Sequence, residues 1–89
     1  MSVRWPPLAL DDVASAFAYL ARDNEKAAIR VTDAQMAAAE ALDAHPRMGW
    51  PGRVRGTREL TVGKYMLVYP VAKEDVVIAR VVNGARRRR

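Results

Sequence analysis

The pattern of apolar and polar positions divides the chain into a helical first half and a strand-forming second half. In residues 8–44, apolar side chains recur every three or four positions among many alanines, which is the period of an amphipathic helix. From Thr57 onward the apolar positions alternate, and β-branched and aromatic residues become frequent, which favours strands. Between the two patterns, residues 45–52 are rich in proline and glycine and predict a loop.

Two helices joined by a short turn are predicted in the first half. The first begins at Pro7, because a proline suits the first helical turn, and ends near Arg22. The dipeptide Asp23-Asn24 favours a turn, and a short connection makes the two helices antiparallel neighbours. We expect the first helix to bury the stripe formed by Leu10, Val13, Phe17 and Leu20.

The second helix runs from about Glu25 to Ala44, and Pro46 ends it. Alanine occupies both faces that this helix could bury, so the pattern does not select one of them. One face carries an apolar stripe, and two further apolar residues lie beside it. The stripe consists of Ala28, Val31, Ala38 and Leu42, and the neighbours are Ile29 and Met36.

Three strands are predicted in the second half, at Thr57–Val62, 64–71 and 76–83. Short turns, at Gly63 and at 72–75, predict that these strands form an antiparallel meander. Pro70 cannot donate to a ladder, so we place it at a bulge, an edge or a strand end. With a short strand at residues 3–5, the fold class is α+β in the order β-α-α-β-β-β, a helical hairpin on a small antiparallel sheet, formed as one domain over residues 1–89.

Composition excludes several classes of protein. The chain has 89 residues with no cysteine and one histidine, which excludes a disulfide scaffold and a thiolate zinc site, so we expect neither metal nor cofactor. Half of the residues are apolar, which argues for a packed core. The longest uncharged stretch of the first half is too short to span a bilayer, and we expect a cytoplasmic protein with no membrane partner.

Charge is distributed unevenly along the chain. Residues 1–44 contain four basic and seven acidic residues, whereas residues 45–89 contain eleven basic and three acidic residues. The second half therefore predicts a surface suited to an anionic partner, the alternative being a solvated basic face without a ligand.

Residues 45–60, 65–69 and 78–86 together resemble the second half of the RelE/ParE superfamily of toxins from type II toxin–antitoxin pairs. The loop Pro-x-Met-Gly-x-Pro-Gly-Arg followed by Gly-Thr-Arg-Glu-Leu is specific as a connected set, and residues 5–12 resemble the start of the family. The resemblance implies the same order of elements that the periodicity predicts. It also implies a toxin.

The superfamily contains two kinds of toxin with different targets. RelE-type members cleave mRNA on the ribosome, and the resemblance would place their catalytic residues at Arg58, Glu59 and Arg86. However, Met66 follows Tyr65 where RelE-type toxins have an arginine, and no tyrosine or histidine follows Arg86 to serve as the acid. The resemblance is therefore closer to the ParE type, which inhibits DNA gyrase by binding and has no catalytic residues of its own.

A ParE-type toxin implies two partners, a cognate antitoxin whose acidic C-terminal segment folds onto the toxin to give a hetero-oligomer, and DNA gyrase with or without its bound DNA. The alternative RelE-type function implies the ribosome and mRNA. A third interpretation is an inactive relic or a basic nucleic-acid-binding module. Our candidate residues for binding antitoxin or target are basic, with one tyrosine that could instead belong to the core: Arg53, Arg55, Arg58, Tyr69, Arg80, Arg86, Arg87, Arg88 and Arg89.

Overall fold

The computed structural model describes residues 3–71 and 75–84 and confirms the α+β class and the predicted order of elements. Its helical hairpin precedes the strands of the meander, as predicted. A two-residue strand was not predicted before the meander, and the last predicted strand is divided in two. The elements are β1 (Val3–Arg4), α1 (Pro7–Ala21), α2 (Glu25–Ala44), β2 (Trp50–Pro51), β3 (Thr57–Val62), β4 (Tyr65–Pro70), β5 (Val76–Val77) and β6 (Arg80–Asn83).

Helix α2 begins and ends where the sequence predicts. The side chain of Asn24 accepts a hydrogen bond from the Ala27 backbone N–H at 3.1 Å, which caps the first turn. At the other end, the backbone N–H of His45 still donates to Ala41, and Pro46 follows. Neither helix, within the part of the chain that is described, is long and apolar enough to cross a bilayer.

The predicted buried faces of the helices are confirmed in part, because Val13 on α1 and Ala28 and Leu42 on α2 are buried. On α1 the buried residues are Ala9, Val13 and Ala16, whereas Leu10 of the predicted stripe is 47% exposed. On α2 the buried residues are Ala28, Gln35, Ala39 and Leu42. Small alanine side chains face the interior because they allow the helices to approach their neighbours closely, so several larger apolar residues, including Leu10 and Ile29, lie outside.

The main sheet has the strand order β2-β3-β4-β6, with every neighbouring pair antiparallel. A tight turn at Gly63, whose φ is +60°, joins β3 to β4. Pro70 is the last residue of β4, beyond the point where pairing with β6 ends at Val68, so its missing N–H interrupts no bond to β6.

The last predicted strand is divided because it pairs with two different strands. β5 pairs in parallel with β1, and the Ile78 backbone N–H continues this contact by donating to Arg4 at 3.0 Å. The next residue, Ala79, donates to Val68 of β4 at 2.8 Å, and β6 then pairs with β4. The chain thus passes from the small β1-β5 pair to the main sheet, and Ile78 at this crossing is fully buried in the core with Leu42, Leu67 and Tyr69.

Candidate functional site

Tyr69 holds the loop between α2 and β3 from the inside. Its hydroxyl donates to the Pro46 carbonyl at 2.8 Å and accepts from the Gly49 backbone N–H at 3.0 Å. Tyr69 is only 1% exposed, so these two bonds satisfy a hydroxyl that would otherwise be buried without partners. The loop backbone is therefore fixed to the central strand β4.

Arg58 provides a second anchor for the same loop. Its Nη1 donates to the carbonyl of Arg47 at 3.3 Å and also to the carbonyl of Gly49. Gly49 itself is buried, and a Cβ at this position would lie 2.7 Å from the Tyr69 hydroxyl and 2.8 Å from the Glu59 carbonyl oxygen. The Gly in the predicted loop motif is thus required by close packing against β3 and β4.

Beyond Gly49 the chain forms a short hairpin that is held by several internal hydrogen bonds. Trp50 of β2 pairs with Glu59 of β3, and the Gly52 N–H donates to the Thr57 carbonyl at 2.8 Å. The Thr57 hydroxyl donates to Val54 at 2.6 Å, and the Arg53 N–H donates to the Glu59 carboxylate at 3.2 Å. We call residues 47–55 the Trp50 loop.

The Trp50 loop exposes large apolar side chains together with arginines. Trp50 is 76% exposed, Val54 is 61% exposed and Met48 is 44% exposed. The arginines of the loop, Arg47, Arg53 and Arg55, are all exposed. A backbone held by internal bonds therefore displays side chains that contribute little to the core.

At the opposite edge of the sheet, Asp12 of α1 binds Arg80 of β6. The Asp12 carboxylate accepts from Arg80 Nε at 2.8 Å, from Arg80 Nη2 at 3.0 Å and from the Val81 backbone N–H at 2.8 Å. Partial burial disfavours the ionised carboxylate, but these hydrogen bonds and the guanidinium charge together lower the pKa of Asp12 below its ordinary value. The same ion pair raises the pKa of Arg80.

An apolar groove of about 370 Å³ lies between the helical hairpin and the turn that joins β3 to β4. Its walls are almost entirely apolar, and two basic side chains stand among them. Such a groove suits an amphipathic segment that carries carboxylates. Its lining residues are Leu20, Arg30, Val31, Ala34, Val62, Gly63, Lys64 and Tyr65.

The predicted binding residues do not form one surface. Arg53 and Arg55 are exposed on the Trp50 loop, as expected for contact residues. Tyr69 and Arg58 instead point toward the loop backbone and support it, and their pairing across β3 and β4 places both on the same side of the sheet. Arg80 lies at the other edge of the sheet, engaged by Asp12, and the predicted contact residues Arg86, Arg87, Arg88 and Arg89 lie outside the described residues.

Two of the residues named for RNA cleavage are also engaged in the loop. The Glu59 carboxylate accepts the Arg53 N–H, and the Arg58 guanidinium binds two loop carbonyls. Arg86 lies outside the described residues. Over the ranges 3–71 and 75–84, no three His, Cys, Asp or Glu side chains come together in a way that could hold a metal ion.

Two functional candidates were missed at the sequence level, Asp12 and Trp50. Asp12 lies near the start of α1 and its partner is 68 positions away, so no local pattern reveals the pair. Trp50 carried a signal that could have been read, because a tryptophan inside a Pro/Gly loop between arginines has no alternating or helical pattern that would bury it.

Comparison with known proteins agrees with this architecture. Residues 3–88 match the family model described as the ParE toxin of type II toxin–antitoxin system, parDE. The chain is 35% identical over 84 residues to a Sinorhizobium fredii protein named "Putative toxin Y4kP", covering 92% of this chain and 86% of that protein. A solved structure titled "Chromosomal ParDE TA system from P. aeruginosa" has the same fold, with a TM-score of 0.79 at 22% identity over 93% of this chain and 95% of that one. The match over almost the whole chain shows that the protein belongs to the ParE toxin family of type II toxin–antitoxin systems.

Proposed function

We propose that this toxin inhibits DNA gyrase by binding to it, without a chemical step of its own, and that a cognate antitoxin neutralises it. The observation that carries the proposal is the engagement of Arg58 and Glu59 by the loop backbone. The two side chains that a nuclease would use for chemistry serve here to shape a surface. The choice of gyrase as the target follows from the resemblance to ParE-type toxins, and membership of the ParE family supports that resemblance. The toxin would act on gyrase in the cytoplasm.

Cleavage of RNA through its own 2′-hydroxyl requires a base, a group that stabilises the extra phosphate charge, and an acid for the leaving oxygen. An arginine is too basic to accept the proton, which leaves Glu59 as the base among the three residues named for the alternative. The Glu59 carboxylate is already an acceptor for a backbone N–H at 3.2 Å. Met66, which follows Tyr65 on β4, offers no charge for the phosphate.

For the antitoxin, the groove beside the β3-β4 turn supports a contact with an acidic amphipathic segment. Its walls include Val31 and Val62, which would accept apolar side chains, and Arg30 and Lys64, which would pair with carboxylates. A segment that becomes ordered on binding would fit this open groove and would give a toxin–antitoxin hetero-oligomer. The neighbour of the same fold is itself titled as a ParDE toxin–antitoxin system.

The test is a supercoiling assay with purified DNA gyrase and purified toxin, with the cognate antitoxin added in a second series. We expect the toxin to block supercoiling and the antitoxin to restore it. Expression of the toxin alone in cells should arrest growth and induce the DNA-damage response. The variant Glu59→Gln tests the alternative, because a nuclease would lose its base whereas a gyrase inhibitor would keep most of its activity.

Two results would overturn the proposal. One is growth arrest without DNA damage, accompanied by cuts at specific codons in translated mRNA that disappear in Glu59→Gln. This result would assign the RelE-type function instead. The other is a toxin that leaves gyrase supercoiling unchanged at any concentration.

A further inference from the structure

We propose that the Trp50 loop is the surface with which the toxin docks onto an acidic face of its protein target. The inference rests on the proposed function only in taking the target to be a protein. Three features of the loop carry it: exposed apolar side chains with no internal role, a backbone held by hydrogen bonds before binding, and charged residues that are all basic.

The exposed apolar side chains are concentrated in a short stretch of sequence. Met48, Trp50 and Val54 are 44%, 76% and 61% exposed, and all three lie within the Trp50 loop. Single apolar residues on a surface are ordinary, but a group that includes a tryptophan is typical of a contact surface. Since β2 is an edge strand, Trp50 has a strand partner on one side only.

The loop is already held in one conformation. Tyr69 and Arg58 fix its first part through hydrogen bonds of 2.8 to 3.3 Å to the backbone of Pro46, Arg47 and Gly49. Thr57 and Glu59 fix its second part. A loop whose backbone is already fixed loses little backbone conformational entropy on binding, so Trp50 is placed as a binding hot spot would be.

The charged residues of the Trp50 loop itself are all basic. Arg47, Arg53 and Arg55 are all exposed. Glu59, which lies opposite Trp50 on β3, accepts a hydrogen bond from the Arg53 N–H and makes a further interaction. An acidic partner surface would be attracted to this loop and oriented by it. The charges thus define the partner as acidic, and the apolar centre defines where it is contacted.

A protein fits the Trp50 loop better than a nucleic acid does. Tryptophan, methionine and arginine are the residue types enriched in protein–protein interfaces. Interfaces with duplex DNA are more polar, and the aliphatic side chains of Met48 and Val54 have no complement along a phosphate backbone. The anionic character that the arginines require is therefore supplied by carboxylates.

The experiment compares growth arrest by the full-length toxin with that by Trp50→Ser and by the double variant Arg53→Glu/Arg55→Glu. Matched controls are Tyr19→Ser, another exposed aromatic on α1, and Arg22→Glu, an exposed arginine after α1. Both test variants should lose growth arrest at equal expression and require at least about tenfold more toxin for the same inhibition of purified gyrase, as expected for hot-spot residues. The controls should behave as the unmodified toxin does.

Two further measurements separate docking from folding. The unfolding midpoints of all variants should agree, because every substituted side chain is exposed. The affinity of the cognate antitoxin for the test variants should lie within about twofold of its affinity for the unmodified toxin if only the contact with the target is lost. If Trp50→Ser is poorly folded, the double arginine variant decides by itself.

The outcomes of these experiments distinguish failure of the docking surface from failure of the proposed function. Full growth arrest by well-folded Trp50→Ser overturns it. Arrest by the unmodified toxin with gyrase unaffected overturns the gyrase proposal, while loss of that arrest in Trp50→Ser still supports the docking surface. Binding of naked DNA that depends on Trp50 overturns a protein partner in favour of nucleic acid. A chain that never arrests growth overturns both.

Discussion

Asp12 binds the side chain of Arg80 and the backbone of the next residue, Val81, and so joins the first helix to the last strand of the sheet. Because Arg80 is about half exposed, solvent weakens the charge interaction. We expect Asp12→Asn to lower the free energy of unfolding by about 1 kcal/mol at pH 7. Urea unfolding of both proteins measures this difference.

The pH dependence of the Asp12–Arg80 pair has a definite sign. The pKa of Asp12 is lower in the folded protein than in the unfolded chain, because the ionised carboxylate binds Arg80 better. The contribution of the pair to the free energy of unfolding is therefore complete above the unfolded pKa of about 3.9 and is lost as the pH falls below it. The difference between the unmodified toxin and Asp12→Asn should therefore shrink below about pH 4. The neighbouring exposed residue gives a control, Asp11→Asn, which should change stability little both at pH 7 and below about pH 4. A difference that grows in acid would contradict this assignment.

Tyr69→Phe tests the anchor beneath the Trp50 loop. Removal of the hydroxyl leaves the Gly49 N–H without its acceptor in a buried position, which should cost about 1–3 kcal/mol in the free energy of unfolding. Tyr19→Phe removes a hydroxyl from a side chain that is 65% exposed and should change stability by less than about 0.5 kcal/mol. Equal effects of the two substitutions, measured by urea unfolding, would contradict the anchoring role of Tyr69.

The extent to which this fold could be predicted differs between local and distant features. The bounds of α2 follow from Asn24, which caps its start, and Pro46, which ends it, and both are adjacent in sequence to the helix they limit. The division of β5 from β6 was not predictable, because it arises from a parallel pairing with β1 at the other end of the chain. Residues adjacent in sequence determine where a helix or strand begins and ends, whereas the strand with which it pairs depends on the packed structure.

The site shows the same difference. Alternation along β4 places Tyr69 with Leu67 on one face, but it does not say which face the helices cover, so the position of Tyr69 stayed open until the structure showed it buried. Arg58 shares that face through its pairing with Tyr69, which explains why a predicted contact residue became a support for the loop. Arg53 and Arg55 were placed correctly on the surface because loop residues without a strand partner rarely become buried.

Gly49→Ala should destabilise the fold although it adds a single methyl group. The new Cβ would lie 2.7 Å from the Tyr69 hydroxyl and 2.8 Å from a backbone oxygen of Glu59, and a backbone atom of the sheet cannot move aside easily. We expect a loss of about 1–3 kcal/mol in the free energy of unfolding. Gly56→Ala is not a suitable control, because the φ of Gly56 is +84° and strains any other residue.

The test therefore uses urea unfolding of Gly49→Ala with and without Tyr69→Phe. Removing the hydroxyl relieves one of the two close contacts, so the double variant should lose less stability than the sum of the single variants. Strict additivity would show that the new methyl group and the Tyr69 hydroxyl do not interact, which would contradict the close contact.

Gln35 on α2 is fully buried, and neither its amide nitrogen nor its amide oxygen has a hydrogen-bond partner among the described residues. An unpaired amide in the interior costs about 1–3 kcal/mol relative to one that remains in water. Methionine has a similar length and adapts to irregular space, so Gln35→Met should raise the free energy of unfolding by about 1 kcal/mol and the melting temperature by about 4–8 °C. Gln35→Glu, which adds a charge without changing the shape, should destabilise strongly. A loss of stability in Gln35→Met, measured by thermal and urea unfolding, would show that the amide is bonded in solution, and toxicity should be unchanged in Gln35→Met because the side chain is not exposed.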